Sequence, residues 1–356
     1  MELHEKLFEG RSGKEWLPFV SLVIPSYNEE RFIGPLLDRL LSQDYPYDKL
    51  EILIADGRSS DKTRDIIRSY AEHCNFIRLL DNEKQYVPFA LNLGIRAAKG
   101  ELVIILGAHA EYPTDYVTKL VSASGSLKAD LVGGLCIACP ADQAVKSLAI
   151  AKALSCPFGV GFNTFRTGAA SVKKVDTVAF GCYRRELFDK LGYFDESLIR
   201  NQDDEFSARI MRANGSIWLI PDIKVTYYTR SKVGEVIRMF YQYGLFKPLV
   251  SKKIGKSTSV RQLIPVSFLV FLAVSSLGFM FNRYFGFFLA GGLGLYLLTD
   301  LYFTLRLTAA SSKRTIFLYL PWLFFMIHFS YGWGYLVGIF RFLVFNQEKR
   351  HIRSSR

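Results

Sequence analysis

Cysteine is scarce in this chain: Cys74, Cys136, Cys139, Cys156 and Cys182 are the five among 356 residues. Five thiols cannot staple a chain of this length, which excludes a disulfide scaffold. Cys136 and Cys139 form a CxxC pair, but no second pair or neighbouring histidine completes a zinc set, so buried thiols are expected. Acidic residues almost vanish after residue 250, where Asp300 and Glu348 stand against 13 Lys or Arg. The formal net charge of +12 therefore belongs to the C-terminal third, and the first 250 residues hold 32 basic and 31 acidic side chains. A nucleic-acid-binding protein needs its basic excess on a folded soluble face, so that class is excluded. Long apolar runs are lacking before residue 262. The opening "MELHEKLFEGRSGKEW" has no apolar core, and no secretory signal peptide is expected there.

Beyond residue 262 apolar runs dominate. Segments 262–282, 284–305 and 315–340 carry a single Asp, Glu, Lys or Arg between them, Asp300. Each is long enough to cross a hydrocarbon core of about 30 Å as a helix. A transmembrane region 262–345 with a basic tail 346–356 is therefore expected, its flanking Lys and Arg suited to anionic headgroups. In segment 231–261, "KVGEVIRMFYQYGLFKPL" (Lys232 to Leu249) mixes basic and aromatic residues at helical spacing, which reads as a helix lying in the membrane interface. Lys252, Lys253, Lys256 and Arg261 before the first run, and Arg306, Lys313 and Arg314 before the third, place those loops on the cytoplasmic side. Three crossings would then set Arg341, Lys349, Arg350, Arg353 and Arg356 outside, against the same rule. A re-entrant hairpin broken at Pro321, Gly332 and Gly334 would keep them inside.

The length allows one large or two ordinary domains. From Pro18 to Ala110, strand-like runs "FVSLVIP", "LEILIAD" and "LVIILG" alternate with amphipathic stretches. Glu30 to Ser42 spaces Phe32, Ile33, Leu36, Leu37, Leu40 and Leu41 helically, and "SSDKTRDIIRSYAE" starts a second helix with Asp61 and Thr63 as capping residues. Such alternation predicts a doubly wound α/β sheet, which binds ligands beyond the carboxyl ends of its strands. Those ends are Pro25 to Glu29, Asp56 to Ser60, and Gly107-Ala108-His109. Further on, "DLVGGLCIA" and "SIWLIPDIKVTYY" read as strands, "DDEFSARIMRANG" as a helix closed by Gly215, and Phe158 to Val172 as a loop.

The stretches "VIPSYNEERFI", "DGRSSDKT", "ALNLGIRAAKGELVIILGAH", "FGCYRRELFDKLGYFDE" and "NQDDEF", in this order over residues 18 to 250, resemble the inverting family 2 glycosyltransferases. "GAHAEYP", "CYRRELF" and "YYTRSKVGEVIRMFYQYGLFK" are similar to the succinoglycan-type exopolysaccharide branch. The resemblance implies a GT-A nucleotide-sugar-binding domain over 1–230 and hexosyltransferase activity. Pro25, Tyr27, Glu29 and Asp56 would hold the base and ribose of a nucleotide-diphosphate sugar, and Ala108 would line the donor site. Asp56 suits this chemically, since a carboxylate accepts strongly from a pyrimidine N–H; as an Asp-Gly pair it also suits a turn. Arg230, ahead of Arg184 and Arg185, would contact the diphosphate.

Asp203 matches the general base, which takes the acceptor hydroxyl's proton as that oxygen attacks the anomeric carbon. It begins three consecutive acids at a helix mouth, where the positive helix end favours carboxylates; Gln202 stands where the family usually has a glutamate. The family's Asp-X-Asp metal motif reads Gly107-Ala108-His109 here, leaving His109 as the ligand of a divalent ion, Mn²⁺ in preference to Mg²⁺, with Glu111 as a neighbouring oxygen donor. The implied acceptor is a polyisoprenyl-diphosphate-linked glycan, met at the cell membrane by a multi-pass protein with a cytoplasmic catalytic domain. A processive synthase and a catalytically impaired scaffold subunit are the rival readings. "QYGLFK" (Gln242 to Lys247) is a poor echo of the former's Gln-X-X-Arg-Trp element.

Overall fold

The computed structural model describes residues 16–255 and 260–347. The opening residues 1–15, Lys256 and residues 348–356 of the basic tail lie outside the described residues. The chain forms two units. The first joins residues up to Ile137 with Gly168–Tyr227, and the second joins Ala138–Thr167 with everything from Tyr228. Residues 138–167 are thus an excursion from the first unit that groups with the C-terminal helices.

In the first unit, strands β1 (Val20–Ser26) and β2 (Leu50–Asp56) are short apolar runs buried along nearly their whole length. Helix α1 (Ile33–Leu41) separates them in sequence, and α2 (Thr63–His73) leads to β3 (Ile77–Asp81). Then come α3 (Val87–Ala97), β4 (Leu102–Ile105), β5 (Ala110–Glu111), α4 (Tyr116–Ser126) and β6 (Leu131–Cys139). The excursion carries α5 (Val145–Leu154) and two helical turns, α6 (Pro157–Val160) and α7 (Thr164–Thr167). The stretch expected as a loop thus contains helix. The chain returns through β7 (Lys173–Lys174), β8 (Cys182–Arg184), α8 (Glu186–Leu191), α9 (Gln202–Arg212) and β9 (Ile217–Tyr228).

Sheet order is β3-β2-β1-β4-β8-β6-β9-β5, with β7 on β9. β1 pairs in parallel with β2 from Val20↔Leu50 to Ser26↔Asp56, and with β4 from Val20↔Leu102. β8 runs antiparallel to β4. Successive strands move outward from β1 to β3 and then jump to the other side of β1, so the topological switch point lies between β1 and β4. Ligands of open α/β sheets bind there, past the carboxyl ends.

Helix α1 buries Ile33, Leu36, Leu37 and Leu40 on the sheet. Phe32, expected in that stripe, is exposed instead. Asp61 accepts from the Thr63 N–H at 3.0 Å, the short-range bond of a capping residue. Thr63 itself does not cap: its Oγ1 accepts from Glu29 N–H at 2.7 Å, across to the β1 tip. At the end of α9 the left-handed residue is Asn214 (φ 60°), while Gly215 donates back to Ile210 at 2.9 Å.

The second unit contains α10 (Val233–Ile254), α11 (Ile264–Phe279), α12 (Tyr284–Ala309) and α13 (Leu320–Gly338). Arg261–Phe279, Tyr284–Ala309 and Leu320–Val344 are long and apolar enough to cross a membrane. No hairpin breaks α13; its helix continues through Gly332 and Gly334, where an added Cβ would strike the backbone of neighbouring helices. The interfacial helix expected in 231–261 is α10, and one of its faces is buried: Val236, Met239 and Phe240 form a core with Ala149, Ile150 and Leu154 of the excursion and Leu320, Phe324 and Ile327 of α13.

Candidate active site

The β1 and β2 tips are laced together by side chain to backbone bonds. Asn28, held at φ 53°, donates its N–H to Ser59 Oγ (2.7 Å) and accepts from Ser60 N–H on Oδ1 (2.9 Å). Glu30 donates its N–H to Asp61 Oδ2 at 3.2 Å, alongside the Glu29 to Thr63 bond. Each bond satisfies a backbone donor that a strand end leaves open, so the tips are fixed without a ladder between them. Gly57 allows the close approach, since a Cβ there would sit 3.2 Å from both Tyr27 and the Gln85 backbone.

Asp56 is fully buried and already engaged. Its Oδ1 accepts from Ser59 Oγ at 2.5 Å, and its Oδ2 from Ser59 N–H at 2.9 Å and Arg64 at 3.1 Å. Arg64 also reaches Asp81 at 2.8 Å, and Arg58 (φ 58°) adds bonds to Asp81 at 3.1 Å and to Glu83. The two guanidinium groups hold the Asp81 carboxyl below its usual range. Asp56 therefore shapes the β2 tip, its carboxylate oriented by Ser59 and Arg64. Neither Ser59 nor Arg64 stood out in the sequence; the run of small polar residues after Asp-Gly was the available signal.

Across the switch point, His109 Nε2 lies 3.0 Å from Glu29 Oε2. Its ring packs edge-on against Phe32, the residue that precedes α1, with centroids 4.3 Å apart. The β1 and β4 tips thus meet through an imidazole and a carboxylate. Glu111, expected beside His109, sits on β5 opposite Thr226, and Glu29 is the carboxylate that the imidazole faces. Ala108 is buried under this contact's own tip, and Pro25 is opposite Ala55 in the β1–β2 register. Gly107 is not in a left-handed conformation. Instead its missing side chain admits Phe180, whose Cε1 would lie 2.7 Å from an added Cβ. The Gly107 N–H donates to Tyr112 Oη at 2.7 Å, closing the tip.

Asp203 is exposed in the first turn of α9, entered through left-handed Asn201 (φ 62°). Its neighbour Glu205 is buried and paired with Arg209 at 2.8 Å, and Arg209 in turn donates to Leu191 and Tyr193 carbonyls at 2.6 and 2.7 Å. That clamp fixes the helix carrying Asp203 to the end of α8. Burial pushes the Tyr183 phenol far up, and the nearby charges of Asp203 and Asp204 add to the shift. Tyr183 lies on β8 beside Val103 of β4, so the acids of α9 sense the strand next to the switch point. Arg184 turns away to the Ala129 carbonyl at 2.9 Å. Arg230 belongs to the second unit, where Glu235 lies 3.8 Å from it. Among the described residues no group of three or more His, Cys, Asp or Glu is placed to hold a metal. One imidazole and one carboxylate fit a divalent ion that completes its shell with phosphate oxygens and water, as Mg²⁺ and Mn²⁺ do at nucleotide sites.

Residues 21–192 match the description Glycosyl transferase family 2. The chain is a family 2 glycosyltransferase. A 29% identical relative from Methanococcus voltae, named a dolichyl N-acetyl-alpha-D-glucosaminyl phosphate 3-beta-D-2,3-diacetamido-2,3-dideoxy-beta-D-glucuronosyltransferase, is matched over 91% of this chain and 98% of its own length. Succinoglycan biosynthesis protein ExoA of Rhizobium meliloti is 29% identical over 69% of this chain and 74% of its own. Among solved structures, a mannosyltransferase from Pyrobaculum calidifontis, in complex with GDP-Man and Mn²⁺, superposes with a TM-score of 0.56 at 21% identity. It covers 90% of this chain and 88% of that one, and gives the glycosyltransferase the GT-A fold.

Proposed function

We propose that this glycosyltransferase moves a sugar from a nucleotide-diphosphate donor to a polyisoprenyl-diphosphate-linked glycan, with inversion, on the cytoplasmic face of the cell membrane. The observation that carries the reading is the meeting of Glu29 and His109 at the switch point, 3.0 Å apart, between the laced tips and the strand next to Tyr183. The donor's base would lie over Tyr27 and the Asp56–Ser59–Arg64 group, leaving its diphosphate toward Ala108 and His109. A divalent ion held by His109 and Glu29 would neutralise charge on the leaving diphosphate. Asp203 would accept the acceptor hydroxyl's proton as its oxygen bonds to the anomeric carbon from the face opposite the leaving group, which yields the inverted anomer. Arg230 would meet a phosphate of donor or acceptor, a guanidinium suiting either. The Methanococcus voltae relative's name and the three apolar helices support a lipid-linked acceptor.

The test is a screen of radiolabelled nucleotide sugars with polyprenyl-linked acceptors, using purified full-length protein and reading the product anomer by NMR. Labelled lipid product with inverted configuration is expected. Donor hydrolysis alone, or retention, overturns the proposal. A metal titration in the same assay should show that His109→Ala raises the Mn²⁺ concentration needed for half activity. Equal activity of both proteins in chelator would remove the ion from the reading.

A further inference from the structure

Three helices of the second unit have the length of a span, yet their packing does not let all three cross. Helices α10 and α13 lie side by side in parallel. An added Cβ on Gly334 would strike the Tyr241 carbonyl, one on Gly338 the Leu245 carbonyl, and Lys252 Nζ donates to Phe342 O at 3.3 Å. Both sequences ascend together through these contacts, and the core shared by Val236, Phe240, Leu320 and Phe324 extends the pairing to their N-terminal ends. The two helices therefore share one relation to any membrane.

Helices α11 and α12 form an antiparallel hairpin. Phe268 stacks on Tyr296 at 4.7 Å, a Cβ on Gly292 would meet Phe271, and Phe285 closes on Gly278. A hairpin returns to the side it left. Only nine residues join Ile254 to Ile264, and ten join Ala309 to Leu320. A helical crossing takes roughly 20 residues, and a non-helical crossing would leave backbone groups unpaired in hydrocarbon. The C-terminal end of α10 and the N-terminal end of α13 must then lie on one side. Since α13 runs parallel to α10, its N-terminal end lies at the N-terminal end of the pair, and both ends of α10 are on that side too.

We infer that α10 and α13 lie together along the membrane interface on the side from which the first unit's chain enters, and that α11 and α12 alone cross. The inference rests on the membrane reading of the proposed function. Two further observations bear on it. The exposed face of α13 is a stripe of Trp322, Phe329 and Trp333 that Phe340 continues just beyond its end, while 44% of the apolar window in Leu320–Val344 is buried, against 17% and 11% for the other two. An apolar face backed by protein, with tryptophans a full three turns apart, fits a helix resting on the headgroup boundary. Charge agrees as well: of the eight Lys and Arg after residue 250 among the described residues, only Arg283 at the hairpin tip falls on the far side. The partner is thus the lipid surface itself, met by an aromatic stripe and ringed by cations.

Single cysteines placed in a cysteine-free full-length protein test this in sealed membrane vesicles, scoring only protein that resists carbonate extraction. Glu72→Cys reports the first unit, Asn282→Cys the hairpin tip, and Gln347→Cys the end of α13. With an impermeant maleimide, Gln347→Cys should label from the same side as Glu72→Cys, and Asn282→Cys from the opposite side. Labelling of Gln347→Cys with Asn282→Cys overturns the inference. If a cysteine variant is not recovered, quenching by brominated lipids decides in a Trp16→Phe, Trp218→Phe background. Trp322 and Trp333 should be quenched at one shallow depth, whereas a spanning helix would separate them by about 16 Å. Failure of the transfer reaction would leave both readouts intact, so the two proposals fall separately.

Discussion

At the scale of single residues, Asp203 and Gly107 divide chemistry from packing. Asp203 is exposed on a helix that the buried Glu205–Arg209 pair clamps in place. Asp203→Asn should lower transfer by about 10²–10⁴ while leaving donor affinity within a few-fold, since an amide cannot take the proton. Turnover and equilibrium binding measured on the same preparation check this, and near-normal turnover would unseat Asp203 as base. Gly107 is governed by Phe180 rather than by backbone conformation. Gly107→Asp should destabilise by about 1–3 kcal/mol through overpacking, and adding Phe180→Ala should restore much of the loss. Thermal midpoints of the single and double variants read the coupling. If Gly107→Asp is neutral alone, the ring is not the obstacle.

At the scale of elements, the tips depend on ionised carboxylates. Burial opposes the charge on Asp61, yet bonds from Thr63 and Glu30 outweigh it and hold its carboxyl below the usual range, as Arg64 and Arg58 do for Asp81. Folded values below the unfolded ones give stability that is present above the unfolded carboxyl range and is lost as pH falls through the folded values. Unfolding midpoints should therefore drop on acidification below about pH 4, and Asp61→Asn with Asp81→Asn should flatten that drop. An unchanged acid limb would mean the tips are held by packing alone. The strands and most helices of this unit were legible, because seven-residue apolar runs and the α1 spacing repeat at the period of their structure. The tips were legible only as polar sequence. That Thr63 bonds Glu29 and not its own helix, or that Glu29 rather than Glu111 faces His109, depends on which strands are neighbours, and no local pattern encodes that. The β1–β4 adjacency comes from a jump across the sheet between residues about 80 apart, so the site's central contact could be read only from topology.

At the scale of the whole molecule, sequence order and spatial grouping part company. The apolar runs announced three helices, but hydropathy reports what a helix can enter and not how it lies, and the α10–α13 pairing was invisible to it. The excursion 138–167 was also hidden, since nothing local to Ala149, Ile150 and Leu154 names the C-terminal residues they pack with. A chain ended at Arg230 should consequently be insoluble, its α5 face having lost Val236, Phe240, Leu320 and Phe324. Expression with sedimentation compares it with full-length protein in detergent. A soluble, monodisperse 1–230 would show that the excursion folds without those partners.

The same grouping sets a timetable for synthesis. Helix α5 emerges from the ribosome long before Phe324 or Ile327, with about 170 residues still to come, which at roughly 5–20 residues per second is a wait on the order of ten seconds or more. Once Tyr228 has been made, the first unit has all its strands, while α5 still shows the apolar surface that α13 will cover. The nascent enzyme therefore completes its sheet before its seat, and α5 can drive aggregation on the ribosome until α13 emerges.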